Sequence, residues 1–229
     1  MSELLNTLIH DARVWQGHRQ GRAHQPGERT GYAALDQQLD GAGWPVGALS
    51  ECLLDHEGIG ELQLVLPLMR RMAQAGRTVF WINPPHIPYA PALARHGLSL
   101  EQVVVVRPTS AGDTLWTLEN CLRSPVTGLV LAWPGRLASR DIRRLQLAAE
   151  AGHTTCVLFR PRRQARQSSP AALRLELEPA PHHGLRVNVL KRRGGWPGQH
   201  CRLDMASRAG QALPASPRVI AGPWAGSHS

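Results

Sequence analysis

Lysine is almost absent. The chain of 229 residues holds one, Lys191, and its basic excess is otherwise arginine. A phosphate-binding loop ends in Gly-Lys-Ser/Thr, with the lysine on the β- and γ-phosphates and the hydroxyl on Mg²⁺. No register of this sequence supplies that loop. Cysteine is scarce and dispersed: Cys52, Cys121, Cys156 and Cys201 show no C-x-x-C spacing, which argues against zinc and disulfide frameworks. The eleven histidines are scattered, and only His182 and His183 adjoin, in a Pro-flanked loop, so no metal is expected. Long apolar runs are also missing. None nears the roughly 18 residues of a membrane span, and no membrane partner is expected. The first residues, MSELLNTLIHDARVW, carry Glu3 and Asp11 and have no basic stretch leading into an apolar one. They do not read as a secretory signal, and a cytoplasmic location is the expectation.

What is present suits a single domain with appended segments. Apolar residues make up 42%, enough for a core, and the formal charge is +9. Such an excess commonly accompanies an acidic partner, nucleic acid first. Residues 1–29 divide into a candidate helix at 3–16, with Leu4, Leu8, Ala12 and Trp15 at helical spacing, and a basic, turn-rich linker. The helix docks either on its own core or on another subunit. Residues 30–205 form the expected core, and 206–229, rich in Ala, Gly, Pro and Ser, an expected disordered tail.

Within the core, strands alternate with helices. Strand candidates are Ala48–Leu54, Thr78–Ile82, Val103–Val106, Leu129–Trp133 and Thr155–Phe159. Helix candidates cover 59–75, 90–97, 115–122 and 138–151. This alternation predicts an α/β fold with a mainly parallel sheet between helices. The VVVV run predicts a strand buried on both faces. Along 59–75, Leu62, Leu66, Met69 and Met72 mark the expected apolar face, and Pro67 should kink that helix or remove one backbone bond. Leu173–Leu177 and Leu185–Leu190 alternate with period two, as antiparallel additions at one sheet edge would.

The entry segment carries T-G-x-x-x-L-D and then L-x-G-A-G-x-P-x-G: Thr30, Gly31, Leu35, Asp36, Leu39, Gly41 to Gly43, Pro45 and Gly47, followed by a strand near Glu51. In order and spacing this resembles the RecA-type ATPase core, over residues 30 to about 193. The resemblance implies three catalytic stations, and none is filled. At the phosphate loop stand Gly58, Gly60, Glu61 and Leu62, with neither lysine nor hydroxyl. Two charges 4 Å apart interact by about 4 kcal/mol at a dielectric near 20, so Glu61 in place of a cation repels a triphosphate. Where the family places its water-positioning glutamate, the chain has Asn83-Pro84-Pro85-His86. Where it places the Mg²⁺-organising aspartate, the chain has Ala132 between Leu131 and Trp133. A non-catalytic core with no cofactor is the expectation.

Leu53-Leu54-Asp55, Gly58 to Leu62, the Trp-Ile-Asn-Pro-Pro run from Trp81 to Leu93, and Leu190 to Gly195 resemble the ImuA family. That resemblance implies an adaptor in SOS-induced mutagenic translesion synthesis, near the nucleoid. Its implied partners are an ImuB-like inactive Y-family protein, RecA and an error-prone DnaE-type polymerase. A rival on the same degenerate core is a SulA-like cell division inhibitor acting on an FtsZ-type GTPase.

Two basic clusters are candidate contact sites. Arg160, Arg162, Arg163 and Arg166 fall within seven residues bounded by Pro and Ser, a cationic loop suited to single-stranded DNA phosphates or simply solvated. Lys191, Arg192 and Arg193 end a strand before Gly-Gly, and either meet a neighbour or protect a sheet edge. Trp44, Trp81 and Trp133 adjoin strand ends and fill the emptied cleft. Leu4, Leu8 and Trp15 are candidate partner anchors, as is Trp196.

Overall fold

The computed structural model describes residues 27–195 and 198–205. The candidate N-terminal helix, most of the linker, Trp196 and the segment from 206 lie outside them. A two-stranded ribbon, β1 (Gly27–Glu28) with β2 (Trp44–Pro45), brackets the short helix α1 (Ala33–Gln38). Then follow β3 (Leu49–Leu54), α2 (Glu61–Gln74), β4 (Thr78–Ile82), α3 (Ala90–Arg95), β5 (Val103–Val106), α4 (Ala111–Arg123), β6 (Thr127–Ala132), α5 (Ser139–Gly152) and β7 (Thr155–Pro161). A 3₁₀ turn at Arg162–Arg166 leads to β8 (Leu173–Ala180), β9 (Gly184–Arg192) and β10 (Gln199–Asp204).

These strands make one eight-stranded sheet in the order β10-β9-β8-β3-β7-β6-β4-β5. The six from β8 to β5 run parallel, and β9 and β10 add antiparallel. Two apolar clusters lie on its two faces. One gathers α1, α2 and the inward residues of β8 to β10; the other gathers α4 and α5. The fold is therefore α/β, with a mainly parallel sheet between helices and an antiparallel extension.

The entry motif is a structural knot. Thr30 donates from both its backbone N–H and its hydroxyl to Asp36 Oδ1, each at 2.8 Å, and Tyr32 N–H donates back to Thr30 Oγ1 at 3.1 Å. Leu35 and Leu39 are buried beneath it. Gly43 has φ +68°, and a Cβ there would stand 2.1 Å from the Glu28 carbonyl oxygen, so the ribbon closes only on glycine.

Pro67 leaves α2 continuous. A proline here removes the bond from residue 67 to the carbonyl of residue 63. The Tyr32 hydroxyl supplies the missing donor, 3.0 Å from that Gln63 oxygen. The buried face of α2 is Leu64, Val65, Leu68 and Met69, while Leu62, Leu66 and Met72 are only partly buried. The expected face was thus rotated, because Glu61 turns inward and carries Leu64 and Val65 with it.

Three further expectations need correction. Val103–Val106 is an outermost strand, with Val104 and Val105 38% and 42% exposed, not a strand buried on both faces. Leu173–Leu177 joins β3 in parallel, so the antiparallel extension begins only at β9. The strand Gln199–Asp204 was missed; it inserts only Cys201 and Leu203, too little apolar pattern to stand out.

Candidate functional site

Ligands of open parallel sheets gather at the carboxyl ends of the strands. At the end of β3, the connection through Gly58 and Gly60 turns into α2. Both glycines have positive φ, +83° and +107°, and Gly60 caps the helix with no side chain to help. Glu61 closes this turn on itself: its Oε1 accepts the Gly58 N–H at 2.9 Å. The carboxylate is buried, with Oε2 unpartnered among the described residues. Negative charge at the first turn of a helix is favourable, so the loop carries its own anion. Leu62 packs partly buried against the core.

The ends of β4, β6 and β7 are filled by aromatics. Trp81 lies 5.8 Å from Trp133 between ring centroids, and Trp133 stacks on Phe159 at 4.7 Å. Trp44 is buried in the same cluster. Ala132 is buried on the other face, and Pro85 is exposed on the loop after β4.

Below these ends the sheet holds an ion triad. Glu51, on β3, is fully buried. Arg160 on β7 pairs with its Oε1, and Arg174 on β8 donates to its Oε2 at 2.6 Å. Arg160 also donates to the Leu137 carbonyl at 3.1 Å, and Arg174 to the carbonyls of Gln164 and Gln167 at 2.8 and 2.7 Å. Every one of these bonds is internal. The sequence pointed to Glu51 only as a strand marker, although a lone carboxylate inside the apolar run A-L-S-E-C-L-L demands a cationic partner.

This arrangement corrects the reading of the arginine loop. Arg160 is buried and cannot reach a phosphate. Arg162 donates to Glu176 at 2.8 Å and to Asp55 at 3.3 Å and also pairs with Glu178; the Glu176 hydrogen bond foremost pushes its pKa up. Arg163 and Arg166 are exposed, on a 3₁₀ turn rather than a free loop. The second cluster is engaged as well. Lys191 Nζ donates to the Ser169 carbonyl at 2.6 Å, Arg192 pairs with Asp40, and Arg193 with Glu150 at 3.4 Å. These residues tie the end of β9 to the body of the molecule. Leu4, Leu8 and Trp15 lie outside the described residues.

The four cysteines are free thiols. Burial pushes all four up, Cys121 and Cys201 to about 11 and Cys52 and Cys156 higher still. The unfolded chain deprotonates near 9, so the folded state holds these protons longer. That contribution is complete below pH 9 and is lost as pH rises through the folded values. Lys191, lowered mainly by burial, acts in the opposite direction, but is one group against four. The urea midpoint should therefore fall between pH 9 and 11, and less steeply in Cys156→Ala.

Among the described residues, no group of three His, Cys, Asp or Glu is placed to hold a metal ion, and no helix is long and apolar enough to cross a membrane.

Residues 47–156 match the family model described as Cell division inhibitor SulA. The chain is 32% identical over 98 residues to the SulA of Edwardsiella piscicida, covering 43% of this chain and 58% of that protein. It is 29% identical over 115 residues to the SulA of Photorhabdus laumondii (50% and 65%), and 25% over 137 residues to that of Yersinia enterocolitica (60% and 82%). The chain thus spans less than two thirds of the length of the first two relatives.

These similarities overturn the ImuA reading. Most of the residues that suggested it, from Leu53 to Leu93, lie inside the SulA-matching segment. Several are packing residues, Trp81 above all, and core aromatics say little about which partner a surface meets. The translesion role falls with it, as do the ImuB-like, RecA, DnaE-type polymerase and single-stranded DNA partners.

Proposed function

We propose that this protein is a non-catalytic inhibitor of cell division that binds a tubulin-like GTPase of the FtsZ type. The observation that carries the reading is the SulA match over residues 47–156, which runs from the start of β3 into β7 and takes in α2 on one sheet face and α4 and α5 on the other. The same reading takes the parallel sheet as a RecA-type core that has given up nucleotide chemistry. In its support, Glu61 occupies its own loop, and the ends of β4, β6 and β7 hold two indoles and a phenyl ring in contact. A binding role in the cytoplasm is what remains.

Expression of the protein in bacterial cells tests this. Filamentous cells are the expected result, together with less sedimented FtsZ polymer when the purified proteins are mixed with GTP. Normal division with unchanged polymer yield overturns the proposal, and Mg²⁺-dependent ATP turnover above background overturns its non-catalytic part.

A further inference from the structure

Many arginines that stand beside an acid are paired with it, and several of those that are not gather at one rim of the sheet. Arg136 follows β6, Arg140 and Arg143 begin α5, and Arg163 and Arg166 follow β7. All five are exposed. Arg140 has only a long 3.8 Å approach to its neighbour Asp141, and the other four have no ion pair among the described residues. β6 and β7 are adjacent, so their loops leave the sheet side by side.

These loops are not loose. The Arg160 bond to the Leu137 carbonyl fixes the loop next to Arg136, and the Arg174 bonds to Gln164 and Gln167 fix the turn carrying Arg163 and Arg166. The buried triad thus holds the exposed guanidiniums in place, which reduces the ordering cost of binding.

Beside them, β4 pairs with β6, and the loop after β4 leaves the same rim. It carries Ile87, 85% exposed, and Tyr89, 67% exposed. Pro84, Pro85, Pro88 and Pro91 stiffen this segment, since each fixes its own φ. Exposed Tyr and Arg beside an aliphatic residue, on a preset backbone, match the composition of interface centres.

We propose that this rim docks an acidic protein surface, with Ile87 and Tyr89 entering an apolar recess and Arg136, Arg140, Arg163 and Arg166 meeting carboxylates around it. The inference deepens the reading above and rests on it: the rim is where the FtsZ-type GTPase is held. A protein rather than a nucleic acid is favoured because the central exposed groups include an aliphatic side chain, which neither pairs with phosphate nor stacks on a base.

The test measures binding of full-length protein to purified FtsZ-type GTPase at two salt concentrations. Four proteins are compared: wild type, Arg136→Glu/Arg163→Glu, Ile87→Ser/Tyr89→Ala, and Arg70→Glu/Arg202→Glu. The last makes the same charge change at exposed positions off the rim. Both rim variants should bind at least about tenfold more weakly, and the control near wild type. Wild-type affinity should fall with added salt, and more steeply than that of the rim charge variant. Circular dichroism of each variant establishes that it is folded; a rim variant that is not is replaced by the single change Arg163→Glu. If wild type binds and the rim variants bind equally well, the rim assignment is wrong while the inhibitor reading stands. Failure of wild type to bind removes both. Retention on a single-stranded oligonucleotide that the arginine reversals abolish, with GTPase binding untouched, assigns the rim to nucleic acid and overturns the proposal.

Discussion

Replacing Glu51 with alanine should lower the free energy of unfolding by about 3–5 kcal/mol in urea denaturation. The carboxylate is fully buried, and the two guanidiniums bound to it are within a few per cent of being so. Removing it leaves both cations in a low-dielectric interior facing each other, with only backbone carbonyls for company. Glu51→Gln keeps the volume and should recover little, because the deficit is one of charge. Replacing Glu51, Arg160 and Arg174 together with apolar residues of similar size should recover most of the loss, since a buried ion cluster contributes little net stability over a well-packed apolar one. A loss below about 1 kcal/mol for Glu51→Ala would mean that water reaches the triad. The triple replacement should also free the backbone at Leu137, Gln164 and Gln167, and hydrogen exchange there should quicken even where global stability returns.

Trp81→Ala is expected to cost about 3–5 kcal/mol, the usual range for deleting a large buried aromatic. Trp81 is 2% exposed and lies against Trp133, itself stacked on Phe159. Aromatic pairs contribute about 0.5–1.5 kcal/mol beyond the area they bury, so the deletion also disturbs its neighbours. Trp81→Phe should be much milder, because Trp81 Nε1 makes no hydrogen bond among the described residues and only ring volume is lost. Near-ultraviolet circular dichroism separates the two: the alanine variant should lose much of the tryptophan signal and the phenylalanine variant only part of it. Equal stabilities for both variants would show that the stack is not a packing element.

The sequence made the alternation of strand and helix plain, because runs such as Thr78–Ile82 and Thr155–Phe159 are apolar enough to be buried wherever they fall. It did not reveal lateral position. Val103–Val106 reads like a central strand, yet it forms the outer edge, since a strand's composition says nothing about how many neighbours it has. The arginine clusters misled for a related reason. Arg160 and Arg163 look alike in sequence, but one alternates inward toward Glu51 and the other stands on the turn beyond the strand. Arg174, more than a hundred residues from its partner, gave no local cue at all. The Gly58–Gly60 turn into α2 could be read from its glycines, but that Glu61 would bend back onto the Gly58 amide could not, because nothing in the order of residues says which way its carboxylate turns.

The strand order sets a timetable for synthesis. Glu51 leaves the ribosome 109 residues ahead of Arg160 and 123 ahead of Arg174. At roughly 5–20 residues per second, that is an interval on the order of ten seconds. Throughout it the acidic strand has no counter-ion and its two eventual neighbours do not yet exist. The nascent chain must wait with its centre open until the strands that carry Arg160 and Arg174 emerge and lock it.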